Sequence, residues 1–151
     1  MSIGEICNRD VVVIGKDASV QEAASLMRQF HVGALVVCDE REGRRVPLGL
    51  VTDRDIVIEV LAEGVEIGSV MVGDIMSAKL LTAQESDELW ETLQRMRQAG
   101  VRRLPVVDQL GSLQGIVTMD DVVELLADEL AQLAKLVARE QTVEITRRSR
   151  Q

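Results

Sequence analysis

Two stretches of this chain, GLVTDRD at Gly49–Asp55 and GIVTMDD at Gly115–Asp121, keep a glycine, a threonine and a final aspartate at one spacing. They belong to a longer duplication. IGEIC, from Ile3, aligns with VGDIM, from Val72, at an offset of 69 residues, which also carries Val20 onto Leu89, Met27 onto Met96, Val32 onto Val101, Leu35 onto Leu104 and Asp39 onto Asp108. The offset then falls by three, the extra residues lying in the polar stretch EREGRR, Glu40–Arg45. Each copy is too small to bury much surface alone, so the two must pack together and share a core.

Each copy reads as strand, helix, strand, strand, helix. The first helix starts at Ser19, whose hydroxyl can cap while Glu22 reaches back, and Val20, Ala23, Ala24 and Met27 mark one face. GALVVC and PLGLVT are β-rich runs joined by the charged turn and are predicted to form an antiparallel hairpin. Helical spacing resumes from Asp55 to Leu61, with Gly64 as a stop. The second copy repeats this with Leu89, Leu93 and Met96, the runs RLPVVD and LQGIVT, and a helix from Asp120. The expected organisation is copy one at 1–64, a linker at 65–71, copy two at 72–127, and a helical extension and tail at 128–151. Packing the copies on each other generates an approximate two-fold axis.

Composition narrows the function. A net charge of −8 argues against a general nucleic-acid binder, so an anionic ligand must be met by a local basic cluster. No apolar run reaches 18 residues, and MSIGEICNRD carries charge where a signal peptide needs an apolar core; no membrane partner and a cytoplasmic location are expected. Cys7, Cys38 and His31 offer no zinc-site spacing, and Cys38, ending GALVVC, reads as a small core residue. With Phe30 and Trp90 the only aromatics, a bound base must be gripped by aliphatic side chains and backbone.

Thr52 and Asp55, like Thr118 and Asp121, have the spacing of a helix capping box. The same corner also suits a nucleotide. A helix start offers free amides to a phosphate, a threonine hydroxyl can donate to it, and a carboxylate can accept from both ribose hydroxyls. The glycine just before lets backbone approach a ligand. Asp53 and Asp55 form a D-x-D that would suit a magnesium-dependent phosphatase, but Met119 replaces Asp53 in the second copy. The chain is read as a non-enzyme.

The VGDIM run, GVRRLPVVD at Gly100–Asp108 and the two Thr-x-x-Asp corners, repeated in order, resemble CBS domains, and the pair resembles a Bateman module over Ile3 to about Leu126. The resemblance implies an α/β (α+β) fold of two β-α-β-β-α repeats and a regulatory role. It also implies clefts between the repeats that bind adenosine-containing ligands such as AMP, ADP, ATP, NAD or S-adenosylmethionine. Carried onto this sequence, it makes Asp55 and Asp121 ribose contacts and places Thr52 and Thr118 beside the phosphates. Arg54, Arg102 and Arg103 become phosphate partners, and Thr82 lines the site. Copy one has Val13 in place of Thr82, and Gly33 and Ala34 in place of the two arginines, so the two clefts are expected to differ. The alternative is an interaction module with vestigial clefts.

His31, at a helix end, reads as a C-terminal cation. Trp90 lies off its helix's apolar face and is expected to be exposed. Leu126, Leu130, Leu133 and Val137 continue an apolar stripe beyond the repeat that needs cover, either from a second copy of the chain, the simplest candidate, making a homodimer, or by folding back on its own domain. The basic tail RRSRQ is expected to be disordered.

Overall fold

A computed structural model describes residues 1–77 and 79–149. The chain divides into two compact units, Met1–Val117 and Thr118–Gln151, described in turn.

The first unit holds both sheets. In the first repeat, a short α1 (Ile3–Ile6) precedes β1 (Val13–Gly15), α2 (Val20–Phe30), β2 (Ala34–Arg41) and β3 (Arg44–Thr52), then α3 (Asp53–Ile56), which runs into a π-helical turn at Val57–Leu61. β1 lies parallel to β2 because α2 crosses between them, whereas β2 and β3 form the predicted antiparallel hairpin, with a bulge at Val37/Cys38. The linker contains a 3₁₀ turn at Ile67–Ser69. The second repeat supplies α4 (Val72–Ile75), β4 (Ala83–Gln84), α5 (Leu89–Ala99), β5 (Arg103–Val107) and β6 (Leu113–Thr118). Its sheet has the order β4-β5-β6, with β4 parallel to β5.

Local chemistry accounts for the helices. Ser19 Oγ accepts the Glu22 amide at 3.1 Å and starts α2, whose Val20, Ala23 and Met27 are buried with Ala24 packed beside them. In α5, Leu89 and Met96 are buried and Leu93 half-buried, as the periodicity predicts; Thr92, at the place of Ala23, is fully buried as well. His31 ends α2 in the left-handed conformation (φ 54°), where the second repeat has Gly100 (φ 66°). Gly64 (φ 67°) follows the π turn, with its amide on Leu61 O and that of Val65 on Val60 O, the expected stop.

The repeats exchange their short helices. The Ile3 amide donates to Asp87 O at 2.8 Å, and its counterpart Val72 donates to Ala18 O at 2.9 Å. Likewise Gly4 donates to Glu85 O and Gly73 to Lys16 O, while Asn8 donates to Ile116 O and Ser77 to Leu50 O. If residue i meets j, then i's counterpart meets j's counterpart, which is the signature of a two-fold relation. Val72 is fully buried and packs into the first repeat's core beside Leu35, Val37 and Val51.

The second unit is one helix, α6 (Met119–Arg148), capped by Ser149. It runs through Arg147 and Arg148 of the segment expected to be a disordered tail; Arg150 and Gln151 lie outside the described residues. No helix among the described residues is long and apolar enough to cross a membrane.

Candidate functional site

Both threonines of the Thr-x-x-Asp corners are helix N-caps, and the first corner is a full capping box. The Asp55 amide donates to Thr52 Oγ1 at 3.2 Å, and the Thr52 amide donates to Asp55 Oδ2 at 2.8 Å. In the second unit the Asp121 amide donates to Thr118 Oγ1 at 3.1 Å, and that hydroxyl donates to Asp121 Oδ2 at 2.7 Å. The cap fixes the carboxylate's rotamer at the end of a strand. A second function is open to it only where other groups converge.

At Thr52 and Asp55 they do. The two line a cleft of about 340 Å³ with Leu50, Ser77, Lys79, Leu80, Leu81, Gly100, Val101, Arg102, Arg103 and Leu104. The volume falls within the span of small-molecule sites, roughly 300–1,000 Å³. The cleft is composite: the first repeat contributes the hydroxyl and the carboxylate, the second three basic residues. Three cations against one carboxylate make it a basic site in a chain whose net charge is −8. Aliphatic side chains provide the remaining wall, as the scarcity of aromatics required.

The other sequence-predicted residues lie elsewhere. Arg54 is exposed and outside the lining; its amide donates to Asp53 Oδ1 at 2.8 Å. Thr82, half-buried just before β4, is also outside it. Gly33 accepts the Asp53 amide at 3.0 Å and lies against that carboxylate, and Ala34 pairs with Thr52 across β2 and β3. Asp53 is thus occupied at the start of α3. Among the described residues no three His, Cys, Asp or Glu side chains gather as metal ligands would.

Sequence reasoning missed Ser77 and Lys79, which belong to the segment between α4 and β4. Their first-repeat counterparts, Asn8 and Asp10, line a second cavity of about 770 Å³ with Arg9, Val13, Phe30 and Val32 among its walls. Asp10 stands where the first cleft has Lys79, and Arg9 is drawn to Glu85 at 2.6 Å and to Gly4 O at 3.0 Å. The two cavities therefore differ in charge as well as in shape.

The glycine of each corner serves the fold. A β-carbon on Gly115 would meet Asn8 O at 2.7 Å, and one on Gly49 would collide with Ser77 O. The backbone that approaches these glycines is the other repeat's, not a ligand's.

Two mixed α/β repeats, exchanging their first helices and enclosing a composite cleft, define a tandem-repeat module. Residues 3–62 and 72–128 match the family model of the CBS domain, and the chain belongs to that family. It is 38% identical over 125 residues to the uncharacterized protein MK0525 of Methanopyrus kandleri, covering 83% of this chain and 62% of that protein. It is 36% identical over 121 residues to the CBS domain-containing protein YhcV of Bacillus subtilis, covering 80% of this chain and 82% of YhcV. Among solved structures, the CBS domain pair of protein MJ0100, in complex with 5′-methylthioadenosine and S-adenosyl-L-methionine, superposes with a TM-score of 0.74. The match is at 23% identity and covers 85% of this chain and 98% of that one, so it speaks for the fold.

Proposed function

We propose that the protein is a regulatory, non-catalytic module of the cytoplasm that binds an adenosine-containing ligand in the Thr52–Arg103 cleft. The observation that carries this reading is the convergence of Thr52 and Asp55 with Lys79, Arg102 and Arg103 in one cavity. Asp55 accepts from the ribose hydroxyls, and the basic groups and the Thr52 hydroxyl meet phosphate oxygens. Leu50, Leu80, Leu81 and Val101 enclose the base. That the same fold holds two adenosine compounds in the MJ0100 pair supports the reading.

Within the family's ligands the cleft's charge favours AMP, ADP, ATP or NAD over the cationic sulfonium of S-adenosylmethionine. Thr118 and Asp121 repeat the corner, and Gly33 and Ala34 give the first repeat no guanidinium where the second has Arg102 and Arg103, so we read any second site as the weaker one. Because the cleft takes its groups from both repeats, a ligand that fits one relative angle of the repeats better than another shifts the chain toward it. The protein acts as a homodimer, so the shift is passed to a second copy.

Isothermal titration of AMP, ADP, ATP, NAD and S-adenosylmethionine tests this reading. At least one phosphate-bearing member should bind and Arg103→Ala, outside the cap, should weaken it; a flat titration with the whole panel would overturn it. The exposed Trp90 (58%) favours the second reading, an interaction module with vestigial clefts, which predicts a stable dimer whose melting temperature no nucleotide moves.

A further inference from the structure

The apolar stripe of α6 faces solvent. Leu130 is 68% exposed, Leu133 59% and Val137 52%, while Leu126 at 38% and Val123 at 58% extend the row. These five positions are spaced three and four apart, the seam of a helix that packs on another helix. Ala127 and Ala134 flank the seam and would let a neighbouring backbone come close. At 30 residues the helix is about 45 Å long, enough for four such layers.

Charge selects the occupant. Between Met119 and Ala134 the helix carries five carboxylates, Asp120, Asp121, Glu124, Asp128 and Glu129, and no lysine or arginine. From Lys135 on it carries Lys135, Arg139, Arg147 and Arg148 against Glu140 and Glu144. A parallel copy would set acidic half on acidic half. An antiparallel copy sets each acidic half against a basic one and opposes the helix dipoles favourably.

Building on the homodimer proposed above, we infer that α6 pairs antiparallel with α6 of a second copy, Leu130 packing on Leu133 of the partner subunit and Leu126 on Val137 of the partner subunit. Val123 then lies opposite Glu140 of the partner subunit at each end of the seam.

The test uses the full chain. Sedimentation should find a dimer, and Leu130→Glu with Leu133→Glu should sediment as a monomer, its dissociation constant raised at least about 100-fold by the loss of four buried leucines. Circular dichroism should show the helix retained. In a Cys7→Ser, Cys38→Ser background, Val123→Cys combined with Glu140→Cys should form an intermolecular disulfide, and Val123→Cys alone should not. The milder pair Lys135→Glu, Arg139→Glu should weaken the dimer at low salt while leaving the apolar seam intact. A wild-type dimer that survives the leucine changes would overturn the α6 pairing and leave the homodimer standing. A wild-type monomer would overturn both. Ready cross-linking of Val123→Cys alone would show parallel pairing and overturn the antiparallel assignment.

Discussion

The Ser77 carbonyl lies where a side chain on Gly49 would stand, while the Ser77 amide donates to Leu50 O at 2.9 Å. Its counterpart, the crossing of Asn8 over Gly115, leaves a β-carbon 2.7 Å from the Asn8 carbonyl. The Asn8 carbonyl accepts the Ile116 amide at 2.9 Å and cannot retreat without breaking that cross-repeat bond, and the Ser77 peptide is held by its own amide on Leu50 O. These crossings bring Ser77 and Lys79 to the cleft, so the steric demand on glycine and the assembly of the site share one cause.

Gly49→Ala should therefore destabilise the protein by about 1–3 kcal/mol, because backbone rather than a flexible side chain must move. Gly115→Ala should do the same. Gly15→Ala, where a β-carbon meets nothing within 4 Å, should stay within about 0.5 kcal/mol of wild type. Urea unfolding of the three variants checks the ranking, and a neutral Gly49→Ala would refute the steric argument.

His31 should yield the opposite sign. A non-glycine residue at φ 54° is strained by contact between its β-carbon and backbone, and the equivalent residue in the second repeat is glycine. His31→Gly should raise stability by up to about 1 kcal/mol, relief of strain exceeding the added freedom of the unfolded chain. Gly100→Ala should lower it by about 1 kcal/mol. Melting temperatures measured side by side decide both.

The duplication, the two hairpin runs, the caps and the apolar helix faces were legible in the sequence because each depends on neighbours a few residues away. Ser19, Thr52 and Thr118 announce helix starts through local hydrogen bonds alone. The exchange of α1 and α4 was not legible, since nothing in IGEIC says that Ile3 will donate to Asp87. That exchange decides the cleft, setting the first repeat's Asp55 beside the second repeat's Arg103 and bringing in Lys79. The glycines were legible as close approaches, but not what approaches them. Leu130 and Leu133 announced a surface in need of cover, while Arg147 and Arg148 looked too polar to extend the helix that they in fact continue.

Alkaline conditions should weaken the fold through Cys38. Burial pushes its thiol up to about 11, outweighing the opposing pull of Arg45. The folded value lies above the ordinary 9.0, so this contribution to stability is intact below 9.0 and is lost as pH rises from there through about 11. In a Cys7→Ser background, iodoacetamide at pH 8 should modify Cys38 on the order of 10–100-fold more slowly than free cysteine. Cys38→Ala should flatten the loss of melting temperature between pH 9 and 11; an unchanged slope would assign that loss to other groups.

The cleft's charge makes a prediction that separates ligand recognition from folding. Asp55 and Thr52 hold a helix cap, so changing either confounds the two. Arg103 opens β5 and lines the cleft without belonging to that cap. Arg103→Ala should leave the melting temperature of the free protein within a few degrees of wild type. It should weaken a phosphate-bearing nucleotide by about 10–100-fold, the worth of a charge-assisted hydrogen bond of about 1.5–3 kcal/mol. The loss should grow from AMP to ATP and be smallest for S-adenosylmethionine, whose sulfonium has no phosphate for the guanidinium to meet. Arg54→Ala, at an exposed residue outside the lining, should change affinity less than about twofold. Titration of each ligand into the two variants reads this directly: equal losses for Arg54→Ala and Arg103→Ala would mean that the chain's overall charge, and not the composite cleft, attracts the nucleotide.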